Sequence, residues 1–147
     1  MKRRAVITGG AKRLGRAMAL ELALQGIDIV IHFNSSLEEA EETRDIARKN
    51  GVNAELLKAD LLEMDETKGL IKKARTLIGG PLDILINNAS IFEYDNLKSA
   101  DLTSWDRHLD SNLRSAVFLT QEFSEQAPKM TNKNISSLGK TDKIKGG

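Results

Sequence analysis

The glycine-rich segment near the amino terminus constrains the fold more than any other feature of this chain. A short apolar run, Ala5-Val6-Ile7, leads into Thr8-Gly9-Gly10-Ala11-Lys12-Arg13-Leu14-Gly15, and an amphipathic helical pattern follows. A strand that turns through glycines into a helix points several free backbone N–H groups, and the positive end of the helix dipole, at one place. Gly9 and Gly10 let the backbone approach a phosphate closely, and Gly15 lets the helix pack closely on its strand. The segment therefore predicts a phosphate site.

The spacing of these glycines leaves a second interpretation open. It does not match G-x-G-x-x-G, and no Gly-Lys-Ser/Thr sequence closes the segment as in a P-loop. A glycine-rich turn between a strand and a helix can also exist without a ligand, because a fold does not establish a function. The sequence of this segment is compatible with both interpretations.

Apolar runs alternate with helical patterns along most of the chain. The run Ile27-Asp28-Ile29-Val30-Ile31 is rich in β-branched residues, as expected for a strand covered on both faces. This alternation predicts an α/β fold in which a parallel sheet carries helices on both faces. Ligands bind such sheets outside the carboxyl ends of the strands. Strands are predicted at residues 4–7, 27–31, 54–58 and 82–86.

The helical patterns also predict which residues are buried. In the first helix Leu14, Met18 and Leu22 repeat every four residues and predict its buried face. Thr103 is the predicted N-cap of the fourth helix, and Trp105 is predicted to lie near the buried face of that helix.

The length and the distribution of polar residues predict one domain and a tail. A chain of 147 residues is the usual size of a single domain. From Lys129 onward the sequence is polar and rich in lysine, with no hydrophobic period, so residues 129–147 are predicted to be disordered. Residues 1–128 form the predicted domain.

Composition excludes several classes of protein. The 22 basic and 21 acidic residues are interspersed and leave a net charge of +1, which gives no field to attract nucleic acid or an anionic membrane. The chain has no cysteine, and neither His32 nor His108 has a partner at metal-ligand spacing, so we predict no metal site. No apolar run approaches the roughly 20 residues of a membrane span. We expect a cytoplasmic protein that binds neither nucleic acid nor membrane.

Four motifs follow one another at the ends of the predicted strands and in the last helix. They are the segment from Thr8 to Gly15, Ala59-Asp60-Leu61, Leu82-Asp83-Ile84-Leu85-Ile86-Asn87-Asn88-Ala89, and Trp105-Asp106 followed by Asp110-Ser111-Asn112-Leu113. In this order they resemble the short-chain dehydrogenase/reductase family, which consists of nicotinamide-dependent oxidoreductases. The resemblance covers residues 3 to about 127. It implies a Rossmann-like sheet in which the C-terminal part of the fold is missing.

The resemblance implies a role for particular residues. Asp60 would accept a hydrogen bond from the adenine amino group. The backbone of Asn87-Asn88-Ala89 would support the adenosine ribose and hold the turn after the fourth strand, although both asparagines also suit an ordinary turn. Ser90 would lie beside the nicotinamide or be a plain loop serine. Asn112 would distort its helix and help hold a water in the proton relay. The implied cofactor contacts are Thr8, Gly9, Lys12, Arg13, Leu14, Gly15, Asn34, Ser35, Ser36, Asp60, Leu61, Asn87, Asn88, Ala89 and Ser90.

Two departures from the family pattern favour NADP over NAD. Arg13, beside Lys12, replaces the usual middle glycine, and the second strand ends in His32-Phe33-Asn34-Ser35-Ser36 with no acidic residue. A carboxylate there would bind the ribose 2′-hydroxyl of NAD, whereas guanidinium, amide and hydroxyl donors suit a 2′-phosphate. Lys12 could equally lie on the surface, and the planar Arg13 is the stronger candidate. The pattern most resembles pteridine reductases and related carbonyl reductases.

The catalytic residues of the family are matched only in part. Members use a serine to orient the carbonyl, a tyrosine to donate the proton, and a lysine four residues later to lower the pKa of that tyrosine. Asn134-Ile135-Ser136-Ser137 makes Ser137 the candidate serine, but the polar residues before it favour chance similarity equally. Tyr94 and Lys98 have the right spacing, yet they precede the serine in the chain. We interpret that pair as a decoy.

Several functions therefore stay open. The first is an NADP-dependent reductase of small carbonyl or pteridine-like substrates. The second is a non-catalytic NADP(H)-binding or oligomerisation module that associates through the fourth helix. The third is a Rossmann remnant without a ligand. A homo-oligomer is expected, and the chain is expected to be a truncated or frameshifted product of a longer gene.

Overall fold

One parallel sheet organises the chain, and the computed structural model describes residues 1–91, 93–94 and 96–129. Its strands lie in the order β3-β2-β1-β4, and each neighbouring pair is parallel. This arrangement confirms the predicted α/β class, although the fourth strand begins at Ile84 rather than at Leu82. The strands are β1 (Arg4–Ile7), β2 (Asp28–Phe33), β3 (Ala54–Lys58) and β4 (Ile84–Ile86).

One or two helices follow each strand of the sheet. A π-helical turn, Asp110–Arg114, joins the last two of them into one continuous rod. The helices are α1 (Arg13–Leu24), α2 (Leu37–Lys49), α3 (Met64–Thr67), α4 (Leu70–Ile78), α5 (Leu102–Leu109) and α6 (Ser115–Gln126).

Side chains that alternate along the strands separate two cores, one on each face of the sheet. Ile29 and Ile31 of β2 belong to the core that holds the buried alanines of α1 and α2. Val30, between them, belongs to the core that contains Leu70 of α4 and Leu119 of α6. Both faces of β2 are therefore buried, as its β-branched composition predicts. Helices on both faces of the sheet are confirmed.

The buried face of α1 differs from the predicted one. Leu14 is 67% exposed, and the fully buried positions are Gly15, Ala19 and Ala23. Small side chains on this face let the helix axis come close to the sheet, which turns Leu14 outward toward solvent. The leucine period predicted the helix correctly but was wrong about Leu14.

The start of α5 also differs from the prediction. Asp101, not Thr103, is the N-cap, and its carboxylate accepts a hydrogen bond of 2.8 Å from the Ser104 backbone N–H. The Ser104 hydroxyl in turn accepts from the Asp101 N–H at 3.2 Å, which completes a capping box. Trp105 is 62% exposed, so its predicted burial is wrong in the described part of the chain.

Side chains of α6 fix the helix against the sheet. Gln126 accepts a hydrogen bond from the Leu82 N–H at 2.9 Å and donates one to the Leu82 carbonyl at 3.1 Å. Glu122 accepts from the Gly69 N–H at 3.0 Å, just before α4 begins. These contacts set the position of α6 relative to β4. Ser137 and the predicted tail from residue 130 onward lie outside the described residues.

Candidate nucleotide-binding site

After the turn from β1, the start of α1 presents backbone amides that no described side chain caps. Gly9 has φ of +62°, a left-handed conformation that glycine adopts without strain. α1 begins after Lys12, whose backbone is extended, and no side chain of the described residues caps its amino end. The first N–H groups of a helix have no partner within it, so these amides are free to bind an anion.

Gly15 allows α1 to lie directly against this turn, as predicted. A Cβ at this position would overlap the Gly9 carbonyl group and lie 2.5 Å from Asn88 Nδ2. Real Cβ atoms do not approach other atoms this closely, so the position requires glycine.

Thr8 and Asn88 tie the ends of β1 and β4 together. The Asn88 Nδ2 donates to the carbonyl oxygens of Thr8 and Gly9, each at 3.1 Å. The Thr8 hydroxyl accepts from the backbone N–H groups of Asn88 and Ala89, each at 3.0 Å. Both side chains thus hold the backbone in place where β1 and β4 end.

His32 makes a connection that the sequence analysis missed. The ring is 3% exposed at the end of β2. Its Nδ1 accepts a hydrogen bond from the Gly9 N–H at 3.1 Å, and its Nε2 lies 2.8 Å from the carbonyl oxygen of Ala59. A lone histidine at a strand end usually indicates packing, and nothing in the sequence marks its two backbone partners.

Burial of His32 predicts a loss of stability in acid. Burial lowers the pKa of His32 below its ordinary value of 6.5, and the bond to Ala59 and the Asp60 carboxylate only partly oppose this. The unfolded chain therefore takes up a proton more readily than the folded one. The resulting stabilisation is complete above about pH 6.5 and decreases as the pH falls below it. Urea unfolding between about pH 5 and pH 7.5 should show a steeper decline for the native chain than for His32→Asn. Parallel declines would contradict this prediction.

A cleft of about 640 Å³ opens along the carboxyl ends of the strands, where the sequence predicts the ligand. Thr8 lies buried beneath it, and the Asn87 side chain turns away to donate to Thr120 Oγ1 at 3.0 Å. The cleft is also lined by His32, Ala59, Leu62, Ile91, Arg107 and Ser111, which were not predicted. The predicted residues that line it are Gly9, Lys12, Arg13, Leu14, Gly15, Asn34, Ser35, Ser36, Asp60, Leu61, Asn88, Ala89 and Ser90.

Arg13 adopts an unusual backbone conformation. Its φ is +54°, in the left-handed region that a side chain with a Cβ occupies at a cost of roughly 1–2 kcal/mol. The family pattern has glycine here, and the geometry explains why glycine suits the position. The strained residue is the one that brings a guanidinium to the cleft.

Arg107 adds another cation to the lining. Its guanidinium pairs with the Glu93 carboxylate, with an Nε–Oε1 distance of 2.9 Å. Nothing in the sequence separates Arg107 from the other surface arginines, because only the fold brings α5 to the cleft.

Asp60 is held in place at the exit of β3. Its carboxylate accepts a hydrogen bond from the Leu62 N–H at 2.9 Å, and its own N–H donates to Glu66. The side chain lines the cleft at the position where the sequence predicts an adenine contact.

Asn112 lies within the π-helical turn. Its Oδ1 accepts from the Ile91 N–H at 2.9 Å, and its Nδ2 donates to the Ile91 carbonyl at 3.1 Å. The extra residue in a π-helical turn places this amide over the loop after β4. The predicted helix distortion at Asn112 is confirmed, and its role with a water stays a prediction.

Comparison with known proteins agrees with the fold. A sequence model described as short chain dehydrogenase matches residues 3–137. The chain belongs to this family. Among curated family members, 3-oxoacyl-[acyl-carrier-protein] reductase FabG of Staphylococcus aureus is 30% identical over 94% of this chain and 56% of its own length. Trihydroxynaphthalene reductase of Colletotrichum orbiculare is 30% identical over 80% of this chain and 42% of its own.

Solved structures match with similar coverage. FolM alternative dihydrofolate reductase 1 from Brucella suis, determined in complex with NADP, is 36% identical with a TM-score of 0.80. The match covers 86% of this chain and 52% of that structure. A blue fluorescent protein from a metagenomic library, in complex with NADPH, is 27% identical with a TM-score of 0.81, over 86% and 51% of the two chains. The chain thus spans about half the length of these relatives.

Two features are absent from the described residues. Across them, no helix has both the length and the apolar character that a membrane crossing requires. The same residues contain no group of three or more His, Asp or Glu side chains placed to hold a metal ion.

Proposed function

We propose that this chain forms the NADP(H)-binding part of a short-chain dehydrogenase/reductase. One observation carries the proposal: the uncapped amino end of α1, the Arg13 guanidinium and the polar residues after β2 all face one cleft. The amides suit a pyrophosphate, and the cation suits a further phosphate on the ribose. The NADP and NADPH complexes of the related structures support the same cofactor.

The residues after β2 favour NADP over NAD. Asn34, Ser35 and Ser36 line the cleft where NAD-dependent relatives would need a carboxylate for the ribose 2′-hydroxyl. Amide and hydroxyl donors can bind a phosphate and do not repel it. Lys12 lines the same cleft, which favours a phosphate contact over a purely solvent-exposed role.

The reaction of the whole protein would be reduction of a carbonyl or pteridine-type substrate. A reduced nicotinamide supplies the hydride in such reactions. Within this chain, Asn112 would position the loop after β4 and a water for the proton relay, and Ser137 would orient the substrate carbonyl. FolM is named as a dihydrofolate reductase and FabG as a 3-oxoacyl reductase, which supports either substrate class.

A second candidate is a non-catalytic NADP(H)-binding or oligomerisation module. The rod formed by α5 and α6 exposes a row of large apolar side chains, which suits association with a second copy. Tyr94, the single tyrosine of the sequence, is 87% exposed and stands outside the residues that line the cleft. The exposed apolar residues are Leu102, Trp105, Leu109, Leu113, Val117 and Phe118.

Titration calorimetry with NADPH and NADH tests the cofactor assignment. Tight binding of NADPH with weaker binding of NADH is expected, and negligible binding of both would leave only the ligand-free remnant. Oxidation of NADPH in the presence of a dihydropteridine or a 3-oxoacyl thioester then separates the two candidates. Binding without turnover, together with a dimer in analytical ultracentrifugation, would favour the module.

Arg13→Gly should lower NADPH affinity without harming the fold. Loss of a charge-assisted contact should raise the Kd for NADPH about 10- to 100-fold. The Kd for NADH should change less than about threefold. Because glycine relieves the positive φ, the free energy of unfolding should stay equal or rise by up to about 1 kcal/mol. Both quantities are measured on the same preparation.

Arg44→Ala is the matched control. Arg44 also carries a guanidinium, but its side chain is 25% exposed and pairs with Asp45 on α2, and it is not among the residues that line the cleft. It should bind both cofactors as the native chain does. Equal losses for NADPH and NADH in Arg13→Gly would contradict the assignment of Arg13 to the 2′-phosphate.

A further inference from the structure

We propose that His32 is the positioning residue of the phosphate-binding turn, acting as the neutral tautomer with its proton on Nε2. The inference rests on the proposed binding of NADP(H) in the cleft. It adds that a single buried imidazole sets the backbone geometry of the turn and thereby its affinity for the cofactor.

The partners of the ring determine its protonation. The Gly9 N–H can only donate, so the Nδ1 at 3.1 Å from it must be an unprotonated acceptor. The Ala59 carbonyl can only accept, so the Nε2 at 2.8 Å from it must carry the proton. One tautomer of the neutral ring satisfies both partners, and the imidazolium does not.

Residue 32 also holds the next amide of the turn. Its backbone carbonyl accepts from the Gly10 N–H at 3.0 Å, so two consecutive N–H groups of the turn bond to the same residue. The Gly9 carbonyl accepts from Asn88 Nδ2 at 3.1 Å. The Gly9 peptide groups are thus held on both sides, which directs the later amides, at the start of α1, toward the cleft.

The other nitrogen of the ring bonds to the exit of β3. Ala59 directly precedes Asp60, the residue predicted to contact adenine. His32 therefore links the phosphate turn to the exit of β3, and displacement of the ring would disturb both ends of a bound dinucleotide.

Several charged groups lie around the ring. Asp60 faces it from the exit of β3 and favours the imidazolium. The cationic residues Lys12, Arg13 and Arg107 line the same cleft. Beyond β3, Lys58, Glu66 and Lys73 line a separate hollow toward α4. Burial of the ring outweighs the favourable groups, so the neutral form holds the turn.

Two amide variants separate the two bonds of the ring. In His32→Asn the Oδ1 stands where Nδ1 stood and can still accept from Gly9. In His32→Gln the side-chain Nε2 can still donate to Ala59, while the acceptor for Gly9 is lost. We expect the Kd of His32→Asn for NADPH to lie within about threefold of the native value. The Kd of His32→Gln should be about tenfold higher, because the loss of one hydrogen bond corresponds to about that change in affinity. Equal affinities of the two variants would overturn the proposal.

The native chain supplies a test that needs no substitution. ¹⁵N NMR of the imidazole should show the Nε2–H tautomer, and NADPH at saturation should lower the pKa of His32 further, because a site that needs neutral His32 disfavours its protonation by linkage. Attraction by the phosphates alone would raise that pKa. A raised or unchanged pKa, or the Nδ1–H tautomer, would overturn the proposal.

The same experiments distinguish a failure of the proposed NADP(H) binding from a failure of the proposed role of His32. If calorimetry shows no NADPH binding to the native chain, the proposed function fails. If NADPH binds but the two variants are equal, or the pKa of His32 does not fall, only the role of His32 fails.

Discussion

Gly15→Ala is expected to lower the free energy of unfolding by about 3 kcal/mol, although alanine is the better helix former. The new methyl group would overlap the Gly9 carbonyl and press on Asn88 Nδ2. Neither can move freely, since Gly9 is held by His32 and Asn88 bonds to the backbone of Thr8 and Gly9. Helix α1 would have to shift away from the turn, so NADPH affinity should fall as well. Urea unfolding followed by circular dichroism measures the loss of stability.

Gly51→Ala is the control for Gly15→Ala. Gly51 has φ of +85° and open space around its Cα, so alanine there costs about 1 kcal/mol in backbone strain and creates no overlap. NADPH binding should be unchanged in this variant. A loss for Gly15→Ala no larger than that for Gly51→Ala would show that α1 is not in close contact with the turn.

Asp28→Ala is expected to cost about 2–3 kcal/mol of stability. Asp28 opens β2, and its buried carboxylate accepts hydrogen bonds from the Asn53 backbone N–H at 2.8 Å and from Asn53 Nδ2 at 3.2 Å. It also pairs with Lys2 Nζ at 3.0 Å, a partner that is 46% exposed and contributes less for that reason. Its removal leaves the partly buried Asn53 N–H, in the loop before β3, without this partner.

Asp28 lies at the opposite end of the sheet from the cleft, so NADPH affinity should be retained in the folded variant. Asp45→Ala is the matched control, because this carboxylate is 57% exposed and pairs only with its neighbour Arg44. Its loss should change the free energy of unfolding by less than about 0.5 kcal/mol. Similar losses in the two variants would contradict the role of Asp28 as a buried tie.

The sequence predicted the order of the elements well because each depends on a local pattern. The β-branched residues predicted to form a strand lie in β2 of the structure. The glycine spacing of the first turn similarly indicated where α1 begins. These signals are contained within a few consecutive residues, so no tertiary contact is needed to interpret them.

The sequence predicted the buried faces of the helices less well, because the buried face depends on which part of the fold the helix packs against. In α1 the leucine period predicted that Leu14 would be buried. The helix instead packs closely on the sheet through the small residues Gly15, Ala19 and Ala23. In α5 an apolar side chain, Trp105, stays exposed within the described part of the chain. Hydrophobic period alone cannot distinguish a face that packs on the sheet from one left for solvent or a partner.

The sequence alone determined the parallel α/β fold, the position of the turn after β1 and most of the residues that line the cleft. Only the tertiary structure decided that His32 bonds to Gly9 and Ala59, that Asn88 ties β4 to β1, and that Arg107 reaches the cleft. The physical reason is distance along the chain. Backbone conformation follows from neighbouring residues, whereas these contacts join groups from separate strands and helices that only the folded sheet brings together.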